Sequence, residues 1–258
     1  MEEIVYNGKI GSVAWQGIKF LEGEEFHGFL TNEVSIRLTD EETKDELTHH
    51  LRGLASTGFE KENLESILTA DMPEERDWAI GEAIAEVWLS GRHGVVWPWN
   101  MERDKRTPKA SLPGADLVGF VETENRVHFA FGEVKSSSHP NTPPNVMYGK
   151  SGMTRQLESL ATDTALLYQL IKWLWPRCRT GSFSKKFDDA VKTLIASENK
   201  ALYLFGVLLR DTQANNLDVI SRASGLSEIT TAPMNCSLTA LYLPCRIRDL
   251  PSRMAGRE

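Results

Sequence analysis

Residues 129–140 read FAFGEVKSSSHP. An apolar run with strand character stops on Glu133-Val134-Lys135 and drops at once into serines. A strand that ends on a carboxylate and an ammonium two residues apart either decorates a surface or builds a site. Side chains alternate along a strand, so Glu133 and Lys135 share one face and Val134 lies on the other.

The stretch just upstream supplies a partner. Ala115 to Val121, ADLVGFV, reads as a second strand, and Thr123-Glu124-Asn125-Arg126 reads as the turn between the two. A turn centred on the Glu124–Asn125 bond sets Glu122 opposite Val127, Phe120 opposite Phe129 and Val118 opposite Phe131. The next pair on that face is Asp116 opposite Glu133, and Gly114 opposite Lys135 leaves space there. Facing carboxylates have Cβ atoms roughly 5 Å apart and repel, which destabilises a sheet unless something offsets it. A divalent cation held in a mostly oxygen shell would do so. The lysine cannot bind a metal as an ammonium, but it can position an attacking water or stabilise a developing negative charge.

Elsewhere the pattern is mixed. Residues 1–40 read as β-rich and irregular, with Ile4-Val5-Tyr6, Ser12 to Trp15 and Glu33 to Ile36 as strand-like pieces. A helix is expected from Asp40 to Leu54 and a short one from Glu60 to Leu68. Residues 72–90 predict an amphipathic helix, with Pro73 and two glutamates in its first turn and Gly91 after its end. Gly94 to Trp99 reads as a short strand ended by proline, and Met101 to Lys109 as a basic loop able to track a phosphate backbone. Met153 to Trp175 predicts one long helix. Ala201 to Leu209 and Leu238 to Leu243 read as buried strands. This order of helices and strands is that of an α/β protein with a mixed central sheet flanked by helices.

Composition narrows the classes. The chain has 258 residues, 41% hydrophobic and 25% charged, with a formal net charge of -7. Bulk charge therefore gives nucleic-acid binding no support, and a binding surface would have to be local. Three cysteines without a CxxC pair suggest neither a zinc knuckle nor a thioredoxin-like motif and fit a reducing, cytoplasmic setting. The first twelve residues, MEEIVYNGKIGS, contain no continuous apolar run, and no stretch has the length of a membrane span. The expectation is no membrane contact.

The assembly resembles the PD-(D/E)XK nuclease superfamily. The residues that carry the resemblance are Pro113-Gly114-Ala115-Asp116 and Glu133-Val134-Lys135, the usual Pro-Asp being spread to Pro-Gly-Ala-Asp. It implies a restriction-endonuclease-like core over roughly residues 72–210, with an N-terminal elaboration in residues 1–70 and the nuclease-like domain in 71–258. It implies Mg²⁺, with Mn²⁺ as a substitute, on Asp116 and Glu133, aided by the Val134 carbonyl and by a glutamate on the first helix. Glu82 fits that last role best, and Glu86 lies one turn further on the same helix face. Gln156 matches a glutamine that many members carry on the helix after the lysine strand. The implied activity is hydrolysis of DNA phosphodiester bonds with low sequence specificity, with Asp116, Glu133, Lys135, Glu82 and Gln156 as catalytic residues. Two other ExK triplets, Glu42-Thr43-Lys44 and Glu198-Asn199-Lys200, lack a strand-borne aspartate.

Within the superfamily, the layout is similar to the nuclease-like subunits of Hachiman-type antiphage defence systems. That likeness implies a helicase or ATPase partner, with the N-terminal region as a partner-binding surface. Two other readings stay open: a stand-alone restriction or DNA-repair endonuclease, and a catalytically silent DNA-binding regulatory subunit.

Overall fold

The computed structural model describes residues 2–39, 41–69, 77–100 and 114–255. The stretches outside these include the expected first turn of the 72–90 helix, the basic loop Met101–Lys109 and Pro113. The centre of the molecule is one seven-stranded mixed sheet. Its strands are β1 (Glu2–Ile10), β2 (Val13–Phe20), β3 (Val95–Val96), β4 (Leu117–Glu122), β5 (Val127–Ser137), β6 (Leu202–Arg210) and β7 (Asn235–Tyr242). Their spatial order is β1-β2-β7-β6-β5-β4-β3. Neighbours β1–β2, β3–β4 and β4–β5 run antiparallel, while β2–β7, β7–β6 and β6–β5 run parallel. A parallel centre needs cover on both faces. That is why β6, LYLFGVLLR, is apolar almost without interruption and nearly all buried.

The helices are α1 (Glu24–Gly28), α2 (Ser35–Leu38), α3 (Glu41–Leu54), α4 (Gly58–Leu68), α5 (Asp77–His93), α6 (Met153–Thr162), α7 (Thr164–Cys178), α8 (Ser184–Ala196), α9 (Leu217–Ile229) and α10 (Leu250–Met254). They build two cores, one on each face of the sheet. Phe129, Phe131, Leu204 and Leu208 pack with Met153, Leu157, Leu170 and Phe187 from α6, α7 and α8. Ala130, Val134, Phe205 and Val207 pack with Ile80, Ala83 and Ile84 of α5 on the other side.

Several expectations change. Glu33 to Ile36 is helical, because α1 and α2 are joined by a π-helical turn over Phe29–Val34. Phe26, Phe29, Leu30 and Val34 recur at helical spacing and are all buried on the α5 face. A short apolar window hid that stripe. The helix over 72–90 runs on through Gly91 to His93, and Gly94 with φ 61° ends it, a conformation that costs glycine little. Of the 94–99 stretch, Val95 and Val96 alone enter the ladder. The expected long helix is two: Asp163 caps α7, its carboxylate accepting the Ala165 and Leu166 N–H groups at 2.9 and 3.1 Å. Helices α8 and α9 had no counterpart in the sequence reading.

The first twenty residues are not a separate layer. Strand β2 lies beside β7 in register from Val13–Cys236 to Lys19–Tyr242, so the N-terminal hairpin continues the central sheet. The helical segment after it is tied down by Arg37, which donates to the fully buried Glu86 carboxylate and, at 2.6 Å, to the Trp99 carbonyl.

Candidate active site

The β4–β5 hairpin has the register expected from its turn. Glu122 pairs with Val127, Phe120 with Phe129 and Val118 with Phe131. Thr123 donates its N–H to the Arg126 carbonyl at 2.9 Å, closing the turn. One step beyond the ladder, the Asp116 N–H donates to the Gly132 carbonyl at 3.0 Å. The chain before Leu117 thus still runs alongside β5, and Asp116 comes to face Glu133.

The two carboxylates are not equivalent. Asp116 is partly exposed, and its Oδ2 accepts the Val134 N–H at 3.0 Å across the strand pair. Glu133 is 1% exposed. Lys135, on the same strand and face, donates from Nζ to Glu133 Oε1. The other oxygen, Oε2, is buried and has no hydrogen-bond partner among the described residues. Burial pushes the Glu133 carboxyl up to about 8; the neighbouring Asp116 carboxylate pushes it the same way, and Lys135 opposes them.

The next strand sets how closely a helix packs beside Glu133. Its register neighbour on β6 is Gly206, where an added Cβ would lie 2.8 Å from Met153 Sδ and 2.9 Å from Leu157 Cδ1. Helix α6 therefore rests on the sheet at the level of Glu133, and Gln156, between those two residues in sequence, belongs to the same layer. Its Oε1 is buried without a hydrogen-bond partner among the described residues. Gly132 serves a different purpose: a Cβ there would come within 2.2 Å of the Phe205 carbonyl, so glycine lets β5 and β6 approach beside Glu133.

Glu82 and Glu86 sit on α5, which covers the opposite face. That helix crosses β5 at the level of Ser136, since a Cβ on Gly81 would lie 2.9 Å from Ser136 Oγ. Glu82, the next residue on α5, is half-buried. Glu86 is fully buried in an ion pair with Arg37. Among the described residues no group of three or more His, Cys, Asp and Glu side chains is arranged to hold a metal ion. The structure thus brings together Asp116, Glu133 and Lys135, sets Gln156 in their layer, and carries Glu82 and Glu86 on the helix that packs against the other face of the sheet. The other ExK triplet that is fully described, Glu198-Asn199-Lys200, follows α8 in a turn with positive φ at Glu198 and Asn199 and belongs to no strand.

The donor set suits a hard divalent cation. Both carboxylates supply oxygen, and the orphaned Glu133 Oε2 is a buried acceptor that a cation would satisfy.

The residue most clearly missed by sequence reasoning is Arg210. It ends β6, is 1% exposed, and pairs through Nε with the fully buried Asp218 at 3.2 Å. Its Nη1 donates to the carbonyls of Ser137 at 2.9 Å and His139 at 2.8 Å, and its Nη2 to that of Asn141 at 3.1 Å. One guanidinium so fixes the path of the chain as it leaves the Glu133–Lys135 strand. An arginine closing an otherwise apolar strand was the available signal. No protein-family model matches the chain, and no curated protein does.

Proposed function

We propose that the protein is a metal-dependent nuclease that hydrolyses phosphodiester bonds in DNA. The observation that carries this reading is the pair Asp116 and Glu133 facing each other at the open end of a hairpin, with Lys135 on the same face and one buried Glu133 oxygen unsatisfied. Facing carboxylates and a buried carboxyl displaced toward neutral pH are costly, and such costs concentrate where chemistry is done.

Asp116, Glu133 and the Val134 carbonyl would hold Mg²⁺ or Mn²⁺. Bound there, the ion supplies a water of lowered pKa and neutralises phosphate charge. Glu133 holds the Lys135 ammonium against the strand end, where it donates to the attacking water or to a non-bridging phosphate oxygen. Attack forms one P–O bond as the bond to the leaving oxygen breaks, and that oxygen departs with a proton as the hydroxyl of the released strand. Gln156, with a free amide oxygen in the same layer, orients water or a sugar hydroxyl.

The element order also supports the reading. Helix α5 is followed by three antiparallel neighbours, β3 to β5, then by helices and the parallel strand β6, the arrangement implied by the PD-(D/E)XK resemblance. A helicase or ATPase partner, the narrower implication, has the acidic balance of the chain in its favour, since phosphate contacts would then come from outside. The test of the site is degradation of plasmid and single-stranded DNA in Mg²⁺ and Mn²⁺. Wild-type protein should cut, and Asp116→Asn and Lys135→Met should not. Equal activity in the variants would remove the assignment.

A further inference from the structure

We propose that the cleft beyond the end of β5 is a subsite for an unpaired nucleotide of a single DNA strand, with Tyr148 as its stacking platform; this rests on the nuclease reading and names the form of its substrate. The cleft has a volume of about 610 Å³ and is lined by Asn141, Thr142, Asn145 and Tyr148, among others. It is shallow and open to solvent, which suits a platform that meets one face of a base. None of the described residues lining it is acidic.

Tyr148 is built as a platform. Tyr148 lines the cleft and is 42% exposed, while the Arg222 guanidinium of α9 lies 3.8 Å from its ring centroid. A cation over one face polarises and immobilises the ring. Arg222 Nε is buried and has no hydrogen-bond partner among the described residues. Unpaired bases stack on such rings with little regard to sequence, because every base has a π-face. Asn141, Thr142 and Asn145 line the same cleft, residues whose side chains carry groups that pair with a base edge or a sugar.

The cleft is tied to the cleavage site. Asn141, at its near edge, and Ser137, two residues past Lys135, have their carbonyls on one guanidinium, that of Arg210. Arg210 therefore braces the chain from Ser137 to Asn141, the stretch that leads from Lys135 toward Tyr148. On this proposal a strand whose phosphate meets Lys135 runs along this stretch and lays an unpaired base on Tyr148. A base locked in a duplex cannot stack there, so the substrate class is single-stranded or frayed DNA.

The experiment is fluorescence anisotropy with labelled oligo-dT in Ca²⁺, alongside Mg²⁺-dependent cleavage by the same protein. Tyr148→Ala should weaken oligo-dT binding about tenfold, as loss of one stacked base predicts. Tyr148→Phe should keep wild-type affinity, because the ring is what matters, and blunt duplex should show no dependence on residue 148. The exposure of Tyr148 makes misfolding a poor explanation for a loss, and melting of each variant checks it. Unchanged binding by Tyr148→Ala, loss in Tyr148→Phe equal to that in Tyr148→Ala, or no oligo-dT binding by wild type each overturns the subsite. Wild-type cleavage with binding that ignores residue 148 sinks the subsite alone. Binding that depends on Tyr148 without any Mg²⁺-dependent cleavage sinks the nuclease reading and leaves the subsite standing.

Discussion

Asp116 reaches across the hairpin to accept the Val134 N–H at 3.0 Å, so it is anchored to the residue that follows its facing partner Glu133. Glu133 has no comparable anchor for Oε2. One carboxylate is braced by backbone, and the other is buried beside it with an unsatisfied oxygen.

This asymmetry predicts a pH dependence. The Glu133 carboxyl is raised from its ordinary 4.5 to about 8 by burial and by Asp116. The folded state therefore binds the Glu133 proton more tightly than the unfolded chain does. Its contribution to stability is complete below about pH 4.5 and is lost as pH rises toward about 8. Metal-free wild type should lose several degrees of Tm between pH 5 and pH 8 relative to Glu133→Gln. Parallel pH profiles for the two proteins would contradict the burial of an unsatisfied carboxyl.

Metal should reverse that loss. Mg²⁺ or Mn²⁺ at pH 8 is expected to raise the Tm of wild type, because a ligand bound to the folded state alone stabilises it by mass action. Asp116→Asn and Glu133→Gln should show little rise. Ca²⁺ should also bind but fail to support cleavage, its longer bonds misplacing the nucleophile. Calorimetric titration measures the binding, and identical heats for wild type and Glu133→Gln would contradict the donor set.

Arg37 is expected to matter for stability rather than chemistry. Its partner Glu86 is 0% exposed, and removing one member of a buried ion pair strands the other. Arg37→Ala should cost about 3 kcal/mol, read from the urea midpoint at unchanged slope. A cost well under 1 kcal/mol would mean that Glu86 is satisfied without it.

The break between α6 and α7 rests on one cap. Asp163→Ala removes two hydrogen bonds to the first turn of α7 and should cost about 1 kcal/mol, with DNA cleavage unaffected. Asp163→Asn should recover most of it. An unchanged melting curve for the alanine variant would deny the cap its role.

What could be read from the sequence followed from local rules. The turn at Glu124-Asn125 and period-two alternation were enough to place Asp116 against Glu133, because a hairpin's register is set within its own residues. The apolar runs of β6 and β7 were equally legible, since strands buried on both faces need no partner to identify them. Asp163 looked like one polar residue inside a helix, and its capping role shows in backbone geometry rather than in periodicity. The stripe Phe26, Phe29, Leu30 and Val34 was lost by reading short windows. Contacts between distant segments were out of reach: Arg37 with Glu86, β2 beside β7, and Arg210 gathering the carbonyls of 137, 139 and 141 all depend on tertiary packing. Of the two α5 glutamates, the resemblance favours Glu82; that Glu86 is held by Arg37 is a tertiary contact that helix spacing does not report.

The most direct test of the site is cleavage of DNA by purified protein in Mn²⁺, compared with Lys135→Met under the same conditions. Lys135 is the member of the trio that binds no metal, so its loss leaves the carboxylate pair in place and removes the ammonium alone. Degradation by wild type, its abolition in EDTA, and a fall of at least about a hundredfold in Lys135→Met are the predicted results. Cleavage at the wild-type rate by Lys135→Met, or by wild type in excess EDTA, would contradict the account.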